Sequence, residues 1–261
     1  MLTKFSLLGR YFISTRLKYK GNKIAFLLFY LFPIALITYS YSYSYIYDLY
    51  KVVLVIGLTY SIYELGYIYN DTITIRKEAE PTLRLSKIEL SFFNSNIKKI
   101  LAIRAITFFT LMMLYIALGV NVTELVLLVV LFVTFYIYNN VRSKLNLPLH
   151  FILVSLRYLI PLIHIFEQVG CFELLFILML YPILNTLERA SEKRFSYIPA
   201  DFFLVEYKKN GRIYYYAISL ILSSVYSYFF NVDAFVFVVI FSAMLLARIM
   251  ARLVMKYERY I

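Results

Sequence analysis

The feature that most constrains this chain is a series of apolar runs, each long enough to cross a bilayer as a helix. They fall at about 24–44, 50–69, 100–119, 122–140, 148–166, 171–187, 213–230 and 233–254, and a span needs roughly twenty such residues. With 62% of its residues hydrophobic and only 16% charged, the chain carries more apolar surface than a water-soluble core can enclose. The expected fold is all-α: a polytopic membrane helical bundle of about eight transmembrane helices, forming one domain over 24–261. Ahead of it lies an amphipathic basic segment, 1–23, in which Phe5, Leu8, Phe12 and Ile13 are interleaved with Lys4, Arg10 and Arg16. Such a segment suits the membrane surface. No apolar stretch near the N-terminus ends in a small-residue cleavage site, so no cleaved signal peptide is expected.

The net charge of +12 raises the question of nucleic acid. Here the positive residues flank the spans, so anionic lipid headgroups account for them and no nucleic-acid partner is expected. Basic residues concentrate in the N-terminal segment, in 70–99, after the fourth span, in 188–212 and in the C-terminal tail. The alternate connections carry mostly acids, among them Asp48, Glu124, Glu167, Glu173 and Asp233. This alternation predicts both termini and the long connections 70–99 and 188–212 on the cytoplasmic side of a bacterial or archaeal plasma membrane. Long polar connections beside tight hairpins are where a membrane enzyme places its chemistry. The two lie four spans apart, a pattern of duplication without a residue-level repeat. Cys171 is the only cysteine, which excludes an internal disulfide and argues against a cysteine-based metal site.

Two helix ends carry oxygen-bearing stripes. After the second span, Asn70-Asp71 is followed by Thr74 and Glu78. On a continuing helix Asp71, Thr74 and Glu78 share a face, with Glu64 two turns earlier on that face. After the sixth span, Asn185, Glu188 and Glu192 repeat the same spacing. Carboxylate and amide oxygens are hard ligands suited to Mg²⁺, which is bound through a few carboxylates and the oxygens of a phosphate substrate. Arg76, Lys77, Arg84, Arg189, Lys193 and Arg194 stand beside the stripes and suit the remaining phosphate charge. Within the membrane, Glu64 and Arg157 are costly unless they face a partner or a cavity. Arg157 is placed to pair with Glu64 or to hold a phosphate. Tyr60, Tyr63, Tyr67 and Tyr69 either line an isoprenoid pocket or pack simply.

These motifs resemble those of the UbiA superfamily of intramembrane prenyltransferases. That family has N-D-x-x-D-x-x-x-D at the cytoplasmic end of its second helix and D-x-x-D-x-x-x-D at the end of its sixth. Asn70-Asp71 matches the start of the first motif, Thr74 stands at its middle acidic position and Glu78 at its last. Asn185, Glu188 and Glu192 fall on the three acidic positions of the second. Family members usually have nine helices against the eight counted here.

The resemblance implies Mg²⁺ held by Asp71, Glu78, Glu188 and Glu192, with Asn70 and Asn185 orienting the metal or the diphosphate. It also implies transfer from an isoprenyl diphosphate to a hydrophobic or aromatic acceptor. A branch of the same family transfers phosphoribose from phosphoribosyl diphosphate to polyprenyl phosphate for cell-envelope polysaccharide, and the basic residues suit that donor nearly as well. Either way the partners are an isoprenoid lipid, a diphosphate-bearing substrate and the membrane. A non-enzymatic transporter or scaffold with degenerate motifs is the remaining alternative. A glycine-rich phosphate loop, a histidine-rich metal motif and a Ser/His/Asp nucleophile group are all missing from the sequence, so kinase, ATPase and zinc protease readings have no support.

Overall fold

The computed structural model describes residues 1–77, 83–120, 122–141, 143–165, 169–192, 195 and 210–257; of Arg76, Lys77 and 255–257 only the backbone is described. Among the described residues every regular element is helical. Six helices are long and apolar enough to cross a membrane: α3 (Lys20–Tyr41), α4 (Tyr45–Thr72), α5 (Lys87–Ala117), α6 (Val122–Asn140), α7 (Asn146–Ile165) and the last, spanning Val232–Val254. Ahead of them stand two short helices, α1 (Leu2–Ser6) and α2 (Arg10–Thr15). The sixth expected span is a bent pair, α8 (Cys171–Leu180) and α9 (Pro182–Ala190), turned by 51°, and counts as a seventh crossing if taken as one. α10 (Gly211–Phe229) occupies the place of the expected span 213–230 but does not reach the same apolarity. α11 (Phe235–Tyr257) follows.

The bend at α8–α9 has a local cause. Pro182 has no N–H to donate and its ring cannot continue the turn before it. The carbonyls freed at the break still need donors inside an apolar protein. The hydroxyls of Tyr215 and Tyr216, on α10, supply them to Met179 at 2.8 Å and Leu180 at 2.9 Å. The polarity of α10 is of the same kind. Ser219, Ser223 and Ser227 recur every four residues and are buried, a small-residue stripe that lets a neighbouring backbone approach closely.

The chain divides into two compact units, the first of residues 1–26 and 46–163, the second of 27–45 and 164–261. In the first unit, Gly66 of α4 is where α6 comes closest. A Cβ there would meet the Phe135 ring at 2.5 Å, and Asn139 donates to the Gly66 carbonyl at 2.9 Å. Tyr63 donates to the Leu153 carbonyl of α7 at 2.5 Å. The start of α5 is a reciprocal cap, Ser86 accepting from the Glu89 N–H at 3.2 Å while Glu89 accepts from the Ser86 N–H at 2.9 Å.

The N-terminal segment departs from the expectation of a surface helix. Phe5, Tyr11 and Phe12 are buried. Phe5 and Tyr11 form a core with Ile68, Phe93 and Ile100, so residues 1–16 are part of the first unit. Gly9 makes the turn between α1 and α2 at φ 78°, a conformation glycine adopts without strain.

Candidate functional site

In the first unit, the carboxylates of α4 organise the N-terminal segment. Glu64 is fully buried. Its oxygens accept from the N–H of Gly9 at 2.9 Å and of Phe12 at 2.7 Å, and from Arg104 Nη1 at 3.2 Å. Gly9 stands at the N-terminus of α2 with no side chain to cap it. Glu64 therefore supplies from another helix the acceptor that a Ser or Asp would supply locally. A buried carboxylate is tolerable only with such partners. Arg104 Nε also donates to the Phe5 carbonyl at 2.5 Å, so one guanidinium ties α1 and Glu64 together. Glu64 pairs with Arg104 of α5 rather than with Arg157, the first of the two roles expected of that arginine. Arg157 instead lies among the rings of Tyr60, Tyr63 and Tyr158, at 5.8 to 5.9 Å from their centres.

Asp71 ends the same row. Its side chain is fully enclosed, with Arg16 on it as a fork, Nη1 to Oδ2 at 2.9 Å and Nη2 to Oδ1 at 3.1 Å. The Tyr11 hydroxyl donates to it at 2.8 Å, Arg84 at 3.4 Å and Asn70 Nδ2 at 3.3 Å. Thr74 donates to Asn70 Oδ1 at 2.9 Å, which fixes the amide. Burial and the Asp71 charge push the Tyr11 phenol well above its ordinary value, so Tyr11 acts as a neutral donor. Arg16 also stacks on the Tyr67 ring at 4.3 Å.

The expected continuous helix past Asp71 is not what forms. α4 ends at Thr72 and a tighter turn runs over Thr74–Lys77, where the Thr74 hydroxyl donates to Asn70. Glu78 lies outside the described residues, as do the side chains of Arg76 and Lys77.

In the second unit, Glu188 of α9 is gripped by Arg212 of α10, through Nε and through Nη2 at 2.9 Å. Arg248 of α11 lies 4.1 Å over the Phe29 ring. Asn185 donates to the Tyr181 hydroxyl at 2.6 Å, and Arg189 lies 6.0 Å over the Phe195 ring. α9 ends at Ala190, where the Ser191 hydroxyl takes the Glu188 carbonyl at 2.7 Å. Glu192 is therefore off the helix and exposed. Lys193 and Arg194 lie outside the described residues.

Of the expected site residues, the structure brings together Asn70, Asp71 and Arg84 in one unit, and joins Glu188 to an arginine outside the motif in the other. Sequence reasoning missed Tyr11, Arg16, Arg104, Arg212 and Arg248 as partners of these groups. They read as flanking charges or belt residues, and the available signal was their excess over local acids.

Mg²⁺ does not fit Asp71 and Glu188 as they are held. Their oxygens are engaged by guanidinium forks, and among the described residues no three His, Cys, Asp or Glu side chains gather as a metal set. Comparison with models of protein families, with curated proteins and with solved structures gave no match. Fold and site together define a class: an all-helical protein with the long apolar helices of a membrane protein and arginine-clasped carboxylates on α4 and α9.

Proposed function

We propose that this chain is an intramembrane transferase of the UbiA type. It joins a diphosphate-activated donor to an acceptor, with a long isoprenoid as one substrate. The observation that carries the reading is the Asn70-Asp71 pair at the end of α4, enclosed and surrounded by Arg16, Arg84 and Tyr11. Resemblance puts the donor's diphosphate at that pair, and the surrounding groups suit it. Guanidinium forks match phosphate oxygens in geometry and charge. Held donors of this kind stabilise the charge that develops on a departing diphosphate. Asp71 orients Arg16 and Arg84, Asn70 is fixed by Thr74, and Arg157 among tyrosine rings gives the apolar interior one further cation that suits phosphate.

The donor is decided by experiment. Purified protein is incubated with a prenyl diphosphate and aromatic acceptors, or with phosphoribosyl diphosphate and polyprenyl phosphate, and products are read by mass. Arg84→Gln lowers turnover in whichever pair reacts. No transfer with either pair would overturn the reading.

A further inference from the structure

The poor fit of Mg²⁺ points to another way of holding phosphate. We propose that Arg16 and Arg84, paired on Asp71 in the first unit, bind a phosphate or diphosphate group without a divalent ion. The class of ligand rests on the transferase reading; the independence from metal does not.

In the first unit Arg16 and Arg84 both contact Asp71. Among the described residues two positive charges meet one negative charge, which leaves one in surplus. Arg16 is held by two bonds and a ring, whereas Arg84 is at 3.4 Å and its side chain is 34% exposed against 17% for Arg16. Arg84 is thus the cation free to turn towards a ligand, and Arg16 the one that stays.

The sign of the surplus decides the ligand. A divalent cation has to displace guanidiniums from Asp71 and then sit beside them, against like-charge repulsion. A phosphate carries more negative charge than one carboxylate and offers oxygens spaced for the same forks. It can recruit Arg84 while Arg16 keeps Asp71. Binding makes or breaks no covalent bond.

The test uses the full chain in phosphatidylcholine nanodiscs, titrated with inorganic diphosphate by calorimetry, once with EDTA and once with Mg²⁺. We expect binding in EDTA that Mg²⁺ does not tighten. Arg84→Gln weakens binding about tenfold, the value of one charged hydrogen bond. Arg84→Lys, which keeps the charge and loses the fork, falls between. Asp71→Asn, which releases both arginines, leaves binding intact or tighter. Thermal unfolding of each variant checks that it is folded. Discs containing phosphatidic acid suppress the isotherm if a lipid phosphate is the natural occupant and leave it unchanged if a soluble one is. Binding seen only with Mg²⁺ and abolished by Asp71→Asn overturns the proposal, as does no binding in either condition. Diphosphate binding in EDTA without any transfer sinks the transferase reading and keeps the clasp. Binding and transfer that both require Mg²⁺ do the reverse.

Discussion

At the scale of single residues, two positions decide whether the first unit holds. Gly66 has space for hydrogen alone against Phe135. Gly66→Ala forces the ring or the helix to shift, and overpacking of this kind costs about 1–3 kcal/mol. The check is the thermal midpoint in detergent, which should fall for Gly66→Ala and recover when Phe135→Leu is added. Glu64 is the second position. Glu64→Gln keeps the shape and removes the charge, leaving Arg104 buried without its ion partner. Breaking such a pair costs about 3–5 kcal/mol. Amide exchange at Gly9 and Phe12, whose N–H groups lose a charged acceptor, should speed up before exchange in α4 does.

At the scale of elements, the N-terminal segment and α4 behave as one piece. Tyr11 gives this a pH signature. Its phenol is raised above the ordinary value of about 10 by burial and by Asp71. A group raised on folding lends stability that is whole below its unfolded value and fades as pH climbs through the folded one. The segment should therefore stay docked through neutral pH and loosen only in strong alkali. Tyr11→Phe should lower stability at pH 7 and flatten that alkaline decline, as read by unfolding midpoints across pH.

The same element shows what a sequence displays and what it conceals. Six of the spans are legible because twenty apolar residues in a row have few other uses. The sixth and seventh expected spans are weaker, because Pro182 splits one and serines dilute the other. The carboxylates were visible as oddities in apolar surroundings. Their partners were not, since Tyr11 lies 60 residues from Asp71 and Arg104 lies 40 from Glu64. Periodicity reports neighbours within a helix and is silent about contacts that close through folding. The expected ligand stripes assumed that α4 and α9 run on, whereas α4 ends at Thr72 and α9 at Ala190.

At the scale of the whole molecule, the alternation of basic and acidic connections predicts which side each loop faces. Cys171, the sole cysteine, is exposed at the start of α8, on a connection expected opposite the termini. In intact cells making the protein, a membrane-impermeant maleimide should label Cys171 without permeabilisation. Labelling that needs permeabilised cells would reverse the orientation.

One feature of α3 has a consequence for how the protein is made. Within this helix a widened turn at Leu27–Leu31 precedes Pro33, and the boundary between the units falls at 26 and 27. The later half of α3, Phe32–Tyr41, packs with α11, which is made only after the helices between them. That half helix must wait in the lipid through the synthesis of α4 to α10 before its mate arrives. A chain cut short ahead of α11 should therefore strand it, and quality-control proteases should find it there.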